Sequence, residues 1–287
     1  MKAVVLEKTC NADELEVSEV EIPKVKDGWV LVKVLGFGIN RAEVILRDYE
    51  ADEDYIELPV IPGIECVGEV VDSSNTRFKN GDRIAALMGG MGRSFDGGYA
   101  EYVLLPEKIV FKIDEEVFDK LTLEEIIAIP ETYFTAYGSL MSLNLVKEDT
   151  LLIRGATSAL GLSAIQLAKP MGCEIFATSR SEERFDILKS NGADECFADD
   201  GCLAERLKCD KVLELIGPKT LEDSMKCLNS GGICCVTGVL GGIEYMDEFD
   251  PIKIIPNGCY LTSFFSNYPT QEIMDNLFDF IIKNNIK

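Results

Sequence analysis

Thr150-Leu-Leu-Ile-Arg-Gly155-Ala-Thr-Ser158-Ala-Leu-Gly161-Leu-Ser-Ala-Ile-Gln-Leu-Ala168 is the stretch that decides the fold. It runs from an apolar strand through a turn of small residues into an amphipathic helix. Gly155 permits a tight exit from the strand, and Gly161 lets the helix pack close to the sheet. Between them Ala156, Thr157, Ser158, Ala159 and Leu160 open the helix, with side chains small enough at the turn for backbone N–H groups to approach a ligand. This is the pattern of a pyrophosphate site. Ala156-Thr157-Ser158 departs from the middle of the standard G-x-G-x-x-G, so a tight strand-to-helix turn without ligand is the competing reading.

Working outward, helices and short buried strands alternate from about Leu123. A helix is expected near Thr132 to Leu143, then strands at Leu151 to Arg154, Glu174 to Thr178, Glu195 to Phe197, Lys211 to Ile216, Gly232 to Thr237 and Tyr260 to Phe264. Helices fall between them at Ala159 to Lys169, Glu182 to Ser190 and Leu221 to Leu228, and one follows at Thr270 to Ile282. Regular β-α-β alternation predicts a doubly wound parallel sheet. The first hundred or so residues are instead β-rich and turn-rich, with Val30, Val32 and Val34 alternating and turns at Asn80-Gly81-Asp82 and Gly97-Gly98. A small barrel is expected there. The reading is α/β with two domains, 1–122 and 123–287, divided near the acidic stretch Asp114 to Asp119.

Composition removes several classes of function. The 287 residues carry 28 Lys plus Arg against 50 Asp plus Glu and no His, a formal net charge of −22. Such a surface repels phosphate backbones and anionic headgroups, so nucleic-acid and membrane partners are not expected. Without histidine there is no Ser-His-Asp or Cys-His catalysis and no histidine metal ligand. Ten cysteines occur with no C-x-x-C pair and no secretory leader, which reads as reduced thiols in a cytoplasmic protein.

The strand after the glycine turn ends in Ala177-Thr178-Ser179-Arg180, where an NAD-binding fold places a carboxylate for the ribose hydroxyls. Ser179 offers a hydrogen bond and Arg180 a charge-assisted contact to a 2′-phosphate, with Arg184 a second candidate. NADP(H) is therefore expected over NAD(H), the alternative being that Arg180 faces solvent. Ile216, Gly238, Val239 and Leu240 follow later strands whose ends face the dinucleotide crevice. Phe264, ending the last strand, is either a cofactor contact or core packing.

Several further signatures span nearly the whole chain: Gly36-Phe-Gly-Ile-Asn40, Pro62-Gly-Ile-Glu65-Cys-Val-Gly68, Asn80-Gly81-Asp82-Arg83, Phe95-Asp-Gly-Gly98-Tyr-Ala-Glu101-Tyr102, Ile129-Pro130-Glu131-Thr-Tyr-Phe-Thr135-Ala-Tyr and Gly192-Ala-Asp194. Together they resemble the medium-chain dehydrogenase/reductase superfamily, which implies a GroES-like barrel domain followed by a Rossmann domain. Zinc members of that superfamily place Cys, His and often Cys where this chain has Asn40, Ile64 and Glu131. Those side chains do not make a catalytic zinc set. The resemblance is thus to the zinc-free quinone-oxidoreductase branch, with no metal.

That resemblance implies hydride transfer from NADPH to a quinone or other activated, enone-type acceptor, since an unactivated ketone needs stronger polarisation than these residues supply. It places Asn40 near nicotinamide and substrate and Thr135 beside the nicotinamide ring. Arg47 is a candidate for steadying the acceptor, and Tyr49 and Tyr133 are weaker proton-donor candidates. Bland readings compete: Asn40 as a turn residue, Arg47 and Tyr49 as surface groups, Glu131 as a helix N-cap. The resemblance also implies a homodimer through the last Rossmann strand. Family members usually continue for several tens of residues and return to the barrel, so that return is expected to be missing. A dinucleotide-binding protein with little turnover, truncated or sensing redox state, is the alternative function. A zinc-type alcohol dehydrogenase is a third reading, disfavoured by Asn40, Ile64 and Glu131.

Overall fold

The computed structural model describes residues 1–242, 245–267 and 269–287. Its strands fall into two units. Met1–Glu131 with Ser266–Lys283 and Lys287 forms the first, and Thr132–Phe265 with Asn284–Ile286 forms the second.

In the first unit β1 (Lys2–Val4) pairs with β2 (Val17–Glu19) as an antiparallel ribbon. A five-stranded antiparallel sheet contains β3 (Trp29–Gly36), β4 (Glu65–Ser74), β5 (Arg83–Leu87), β6 (Tyr102–Pro106) and β7 (Val110–Lys112), in the order β6-β3-β4-β5-β7. The expected alternation appears only in part: Val30 and Val32 are fully buried with Cys66, Val70, Ile84 and Leu105 and Lys33 is exposed, but Leu31 is buried as well and Val34 is half-buried. Each such aliphatic side chain contributes roughly 1.5–3 kcal/mol on burial.

The second unit is one parallel sheet of six strands: β8 (Thr150–Arg154), β9 (Glu174–Ser179), β10 (Glu195–Ala198), β11 (Cys209–Glu214), β12 (Leu228–Val236) and β13 (Tyr260–Ser263). Their order, β10-β9-β8-β11-β12-β13, reverses between β8 and β11, the position where doubly wound sheets open a crevice. Helices Ala159–Ala168, Phe185–Ser190 and Pro218–Lys226 make crossovers, as the alternation predicts.

Three expectations are corrected. The acidic run does not divide the domains, because Asp114 stands at the N-cap position of a helix, Glu115–Lys120, inside the first unit. Its first-turn carboxylates suit the positive end of the helix dipole. The division falls instead between Glu131 and Thr132. Secondly, the chain does return to the first unit, at Ser266–Lys283. Asn267 Oδ1 accepts the Gly89 N–H at 2.9 Å, and Gln271 bonds both the N–H and the carbonyl of Lys112 at 2.8 Å. Helix Gln271–Lys283 then buries Met274, Leu277, Phe278 and Ile281. Thirdly, the helix expected from Thr132 begins as a π-helical turn, Ile129–Tyr133, before Phe134–Ser142. Pro130 has no N–H, and that of Glu131 is bonded to the Glu65 side chain, so the regular ladder cannot form there.

A buried cation organises the second unit. Arg154, fully buried at the end of β8, holds Asp199 through Nε (2.8 Å) and Nη2 (2.7 Å), and Asp223 through Nη1 (2.8 Å). Nη1 also donates to Ser224 Oγ at 3.0 Å. Asp223 in turn accepts the N–H groups of Leu203 and Ala204. Burial alone would raise Asp199, but the hydrogen bonds and charge of Arg154 outweigh it and hold the carboxyl below its usual range. A group held low stabilises the fold above its unfolded pKa and loses that contribution as pH falls through the folded value. Asp199→Asn is therefore expected to destabilise the second unit by about 3–5 kcal/mol at neutral pH, as for one partner removed from a buried pair. Thermal unfolding of wild type and variant should converge below the ordinary aspartate range, and a constant gap would refute the pairing.

Candidate active site

The glycine turn has the conformation its sequence predicts. Gly155 adopts φ +83°, and its N–H is held by Thr178 Oγ1 at 3.1 Å. Ser158 caps helix Ala159–Ala168: its Oγ accepts the Gly161 N–H at 3.0 Å and donates to the Gly155 carbonyl at 2.9 Å. A Cβ on Gly161 would lie 2.5 Å from Ala156 Cα, so only glycine lets helix and turn approach this closely. Thr157 and Ala159 are exposed at the mouth, and Leu160 is half-buried. An exposed helix start with small residues around it fits the pyrophosphate of a dinucleotide.

The other crevice candidates gather beside it. The Gly155 α-carbon faces Ile216 and Leu240, whose side chains would lie 3.0 and 3.3 Å from a Cβ there. The loops after β11 and β12 are zipped together by Leu240 N–H to the Leu215 carbonyl (3.0 Å) and Gly241 N–H to that of Ile216 (2.8 Å), which sets Gly238 and Val239 between them. Glu214, fully buried, accepts the N–H groups of Ile216 (2.7 Å) and Gly217 (3.0 Å) through Oε1, fixing the loop after β11. Burial raises its pKa while Ser224, those N–H groups and Arg154 oppose the rise.

At the end of β9, Ser179 is buried and its Oγ accepts the Ser181 N–H at 3.2 Å, whereas Arg180 and Arg184 are exposed. Among the described residues neither arginine forms an ion pair. The carboxylate missing from this strand stands one strand over: Asp199 donates its N–H to the Ser179 carbonyl at 2.9 Å, but its side chain is committed to Arg154. Thr135 is buried in the first turn of Phe134–Ser142, and its carbonyl accepts Ser139 Oγ at 2.6 Å. Ser139 Oγ also meets Thr237 Oγ1 at 2.8 Å, tying that helix to the end of β12. Tyr133 Oη bonds Gln166 on helix Ala159–Ala168. Phe264 packs on Phe134 with ring centroids 5.8 Å apart, the packing alternative among its two readings.

In the first unit a different group forms around Asn40. Asn40 stands at the N-cap position of helix Arg41–Asp48, and its N–H donates to Glu43 Oε2 at 2.7 Å. Glu43 is buried, and its Oε1 accepts the Ile64 N–H at 2.9 Å. Asn40 Nδ2 donates to Glu65 Oε1 at 2.7 Å, and the Glu131 N–H to Glu65 Oε2 at 2.8 Å. Ser266 Oγ donates to Glu131 Oε1 at 2.8 Å. Glu131 is thus part of a π turn and a side-chain bridge, not the N-cap of a helix at Thr132. Burial pushes Glu65 up to about 8; the charges of Glu131 and Glu43 add to this, and the bonds from Asn40 and Glu131 oppose it. Burial likewise raises Glu43.

Arg47 does not join this group. Its guanidinium pairs with Asp48 on the same helix, and Tyr49 is exposed. Glu43, Glu65, Ser266, Arg154 and Asp199 were not singled out from sequence. The Asn40-x-x-Glu43 spacing is a capping signal and was readable, whereas Glu65 and Arg154 acquire roles from partners far along the chain. Zinc does not fit the positions its relatives would use. Asn40 is an amide already donating to Glu65, Ile64 is a buried alkyl group, and among the described residues no three His, Cys, Asp or Glu are grouped to hold a metal.

Comparison with known proteins agrees with this two-part layout. Residues 26–115 match the family described as alcohol dehydrogenase GroES-like domain, and residues 159–283 that described as zinc-binding dehydrogenase. Quinone oxidoreductase of Homo sapiens is 32% identical over 238 residues, spanning 79% of this chain and 69% of that protein. The crystal structure of AibC has a TM-score of 0.85 at 26% identity, over 100% of this chain and 87% of that one. The structure of Bacillus subtilis yhfP with NAD bound has a TM-score of 0.83 at 27% identity, over 100% and 88%.

The raised Glu65 makes a prediction about stability. A carboxyl whose folded pKa exceeds its unfolded value favours folding at low pH, and loses that contribution as pH rises toward about 8. Urea unfolding followed at Trp29, the one tryptophan and a residue of the first unit, measures it. Between pH 5.5 and 8.5 wild type is expected to lose on the order of 3–5 kcal/mol relative to Glu65→Gln. A pH-independent difference would contradict the raised carboxyl.

Proposed function

The chain belongs to the medium-chain dehydrogenase/reductase superfamily, in its quinone oxidoreductase-like branch, and on that premise we propose that it is a zinc-independent reductase carrying hydride from NADPH to quinones and other activated, enone-type acceptors. The observation that carries this reading is the donor set at Asn40. Where a zinc enzyme offers metal ligands, this chain offers an amide bonded to a buried carboxyl, beside an alkyl side chain. Such a set holds an acceptor oxygen by hydrogen bonding and suits acceptors that are already electrophilic. When bound, the reduced nicotinamide supplies the hydride.

The second unit's residues have the complementary task. The turn from Gly155 to Gly161 binds the pyrophosphate, Ile216, Gly238, Val239 and Leu240 wall the crevice, and Thr135 lies against the nicotinamide. Arg180, helped by Arg184 and Ser179, recognises the 2′-phosphate. Support comes from what is withheld as much as what is offered: Asp199, the nearby carboxylate, is locked in a bidentate pair with Arg154 and cannot serve the ribose hydroxyls. The burial that raises Glu65 and Glu43 also disfavours bringing a charged group beside Asn40, so an uncharged acceptor is favoured over an anionic one. Among the described residues the last strand, β13, pairs only with β12 and leaves Tyr260 62% exposed, an edge suited to a second copy of the chain and hence to a homodimer.

NADPH oxidation with a neutral quinone, a sulfonated quinone and an enone tests the reading. Turnover is expected with the neutral quinone and the enone, with kcat/KM lower for the sulfonate, and with no loss after exhaustive chelation. Asn40→Ala should lower kcat about 100-fold, the worth of one oxyanion donor. Arg180→Ala should weaken NADPH about 10- to 100-fold while leaving NADH affinity unchanged, the worth of a charge-assisted hydrogen bond. NADPH binding without oxidation by any acceptor would favour a binding protein, and dependence on stoichiometric zinc would overturn the metal-free reading.

A further inference from the structure

We propose that Glu65 is a positioning residue, fixing which end of the Asn40 amide is presented to the acceptor; the proposal rests on the reading of Asn40 given above. Asn40 is fastened twice, once within its own helix and once to the start of β4. Its backbone N–H goes to Glu43, which is anchored on the Ile64 N–H, and its side-chain Nδ2 goes to Glu65. Glu65 is itself 2% exposed at the start of β4 and is gripped from the far side by the Glu131 N–H on Oε2. In its carboxylate form, with Oε2 so engaged, Glu65 meets Asn40 with Oε1 as an acceptor, and only the NH2 end of the amide fits against an acceptor. One Nδ2 hydrogen is thereby spent on Glu65 and the second is left for the acceptor oxygen.

Two further features single out this arrangement. A Cβ on Gly38 would lie 2.2 Å from Glu65 Oε1, so the approach to Asn40 is shaped around the carboxyl. The groups that face Glu65 come from three elements: Asn40 and Glu43 from the start of helix Arg41–Asp48, Glu131 from the π turn, and Tyr99 from the segment before β6. A glutamine at position 65 has one acceptor for two N–H donors. It must set its own NH2 against Glu131 N–H, or turn the Asn40 amide over.

The test compares wild type, Glu65→Gln, Asn40→Ala and the double variant in NADPH oxidation with a neutral quinone at pH 8.5, where Glu65 is mostly the carboxylate, with NADPH affinity measured by fluorescence titration. Glu65→Gln is expected to lower kcat about 10- to 100-fold with NADPH affinity unchanged. If Glu65 acts through Asn40, the double variant is no slower than Asn40→Ala, whereas independent structural damage multiplies. Wild-type kcat in Glu65→Gln, or multiplicative losses, overturns the proposal and leaves the role of Asn40 standing. Wild-type kcat in Asn40→Ala instead overturns the reading beneath it. Should Glu65→Gln fail to fold, Gly38→Ala, whose Cβ would crowd Oε1 at 2.2 Å and meet Asn40 Nδ2 only at van der Waals distance, decides: a loss confined to kcat supports the positioning role, and an unchanged kcat sinks it.

Discussion

Buried carboxyl groups in this chain are held chiefly by backbone N–H groups. With 50 acidic residues, 28 basic ones and no histidine, there are too few cations to neutralise every acid that folding covers. An uncompensated buried charge costs several kcal/mol, and a hydrogen bond to a charged group contributes about 1.5–3 kcal/mol. Glu43 therefore takes the N–H of Ile64, Glu65 that of Glu131, and Glu214 those of Ile216 and Gly217. Nearer the surface, half-buried Asp223 and Asp210 and exposed Asp194 likewise accept backbone N–H groups, those of Leu203 and Ala204, Thr150 and Ile175. Most of these bonds join a side chain to backbone elsewhere in the sequence, so the acids act as internal fasteners that set strand ends and loop paths.

Both functional devices are built from that constraint. In the second unit a single buried guanidinium satisfies Asp199 and Asp223 at once, and the end of β9 is left with Ser179 and two exposed arginines. In the first unit no cation is bonded to Glu65, its pKa rises, and an amide is the group it holds. One carboxyl shapes the site by being sequestered, the other by what it grips.

The legible part of this structure was the part written locally. Leu151, Leu152 and Ile153 are a short apolar run bounded by Gly155, and such a run has few structural options, so the parallel sheet and its glycine turn could be read directly. The Val30 and Val32 alternation was plain only in part, since Leu31 between them is buried as well. What stayed hidden depended on distant partners. The π turn at Ile129–Tyr133 exists because Glu131 gives its N–H to a residue 66 positions away. Arg154 looks like the polar end of a strand until Asp199 and Asp223 fold around it. The acidic run at Asp114 to Asp119 has the composition of a linker, yet helix-dipole and packing terms make it a helix of the first unit. Arg47 is the opposite case: attractive by spacing, its guanidinium pairs with its own neighbour, Asp48.

The first unit is interrupted in sequence, leaving at Glu131 and resuming at Ser266, and those two residues are bonded to each other. On a ribosome this order has a temporal meaning. At about 5–20 residues per second, the intervening stretch occupies on the order of ten seconds of synthesis. Throughout that interval the nascent N-terminal sheet lacks the apolar face of Met274, Leu277, Phe278 and Ile281, and Glu131 lacks its serine. The parallel sheet, encoded as one uninterrupted block, is thus free to mature before its older neighbour. The oldest part of the polypeptide thus waits for nearly the whole chain to be made before its own apolar face is covered.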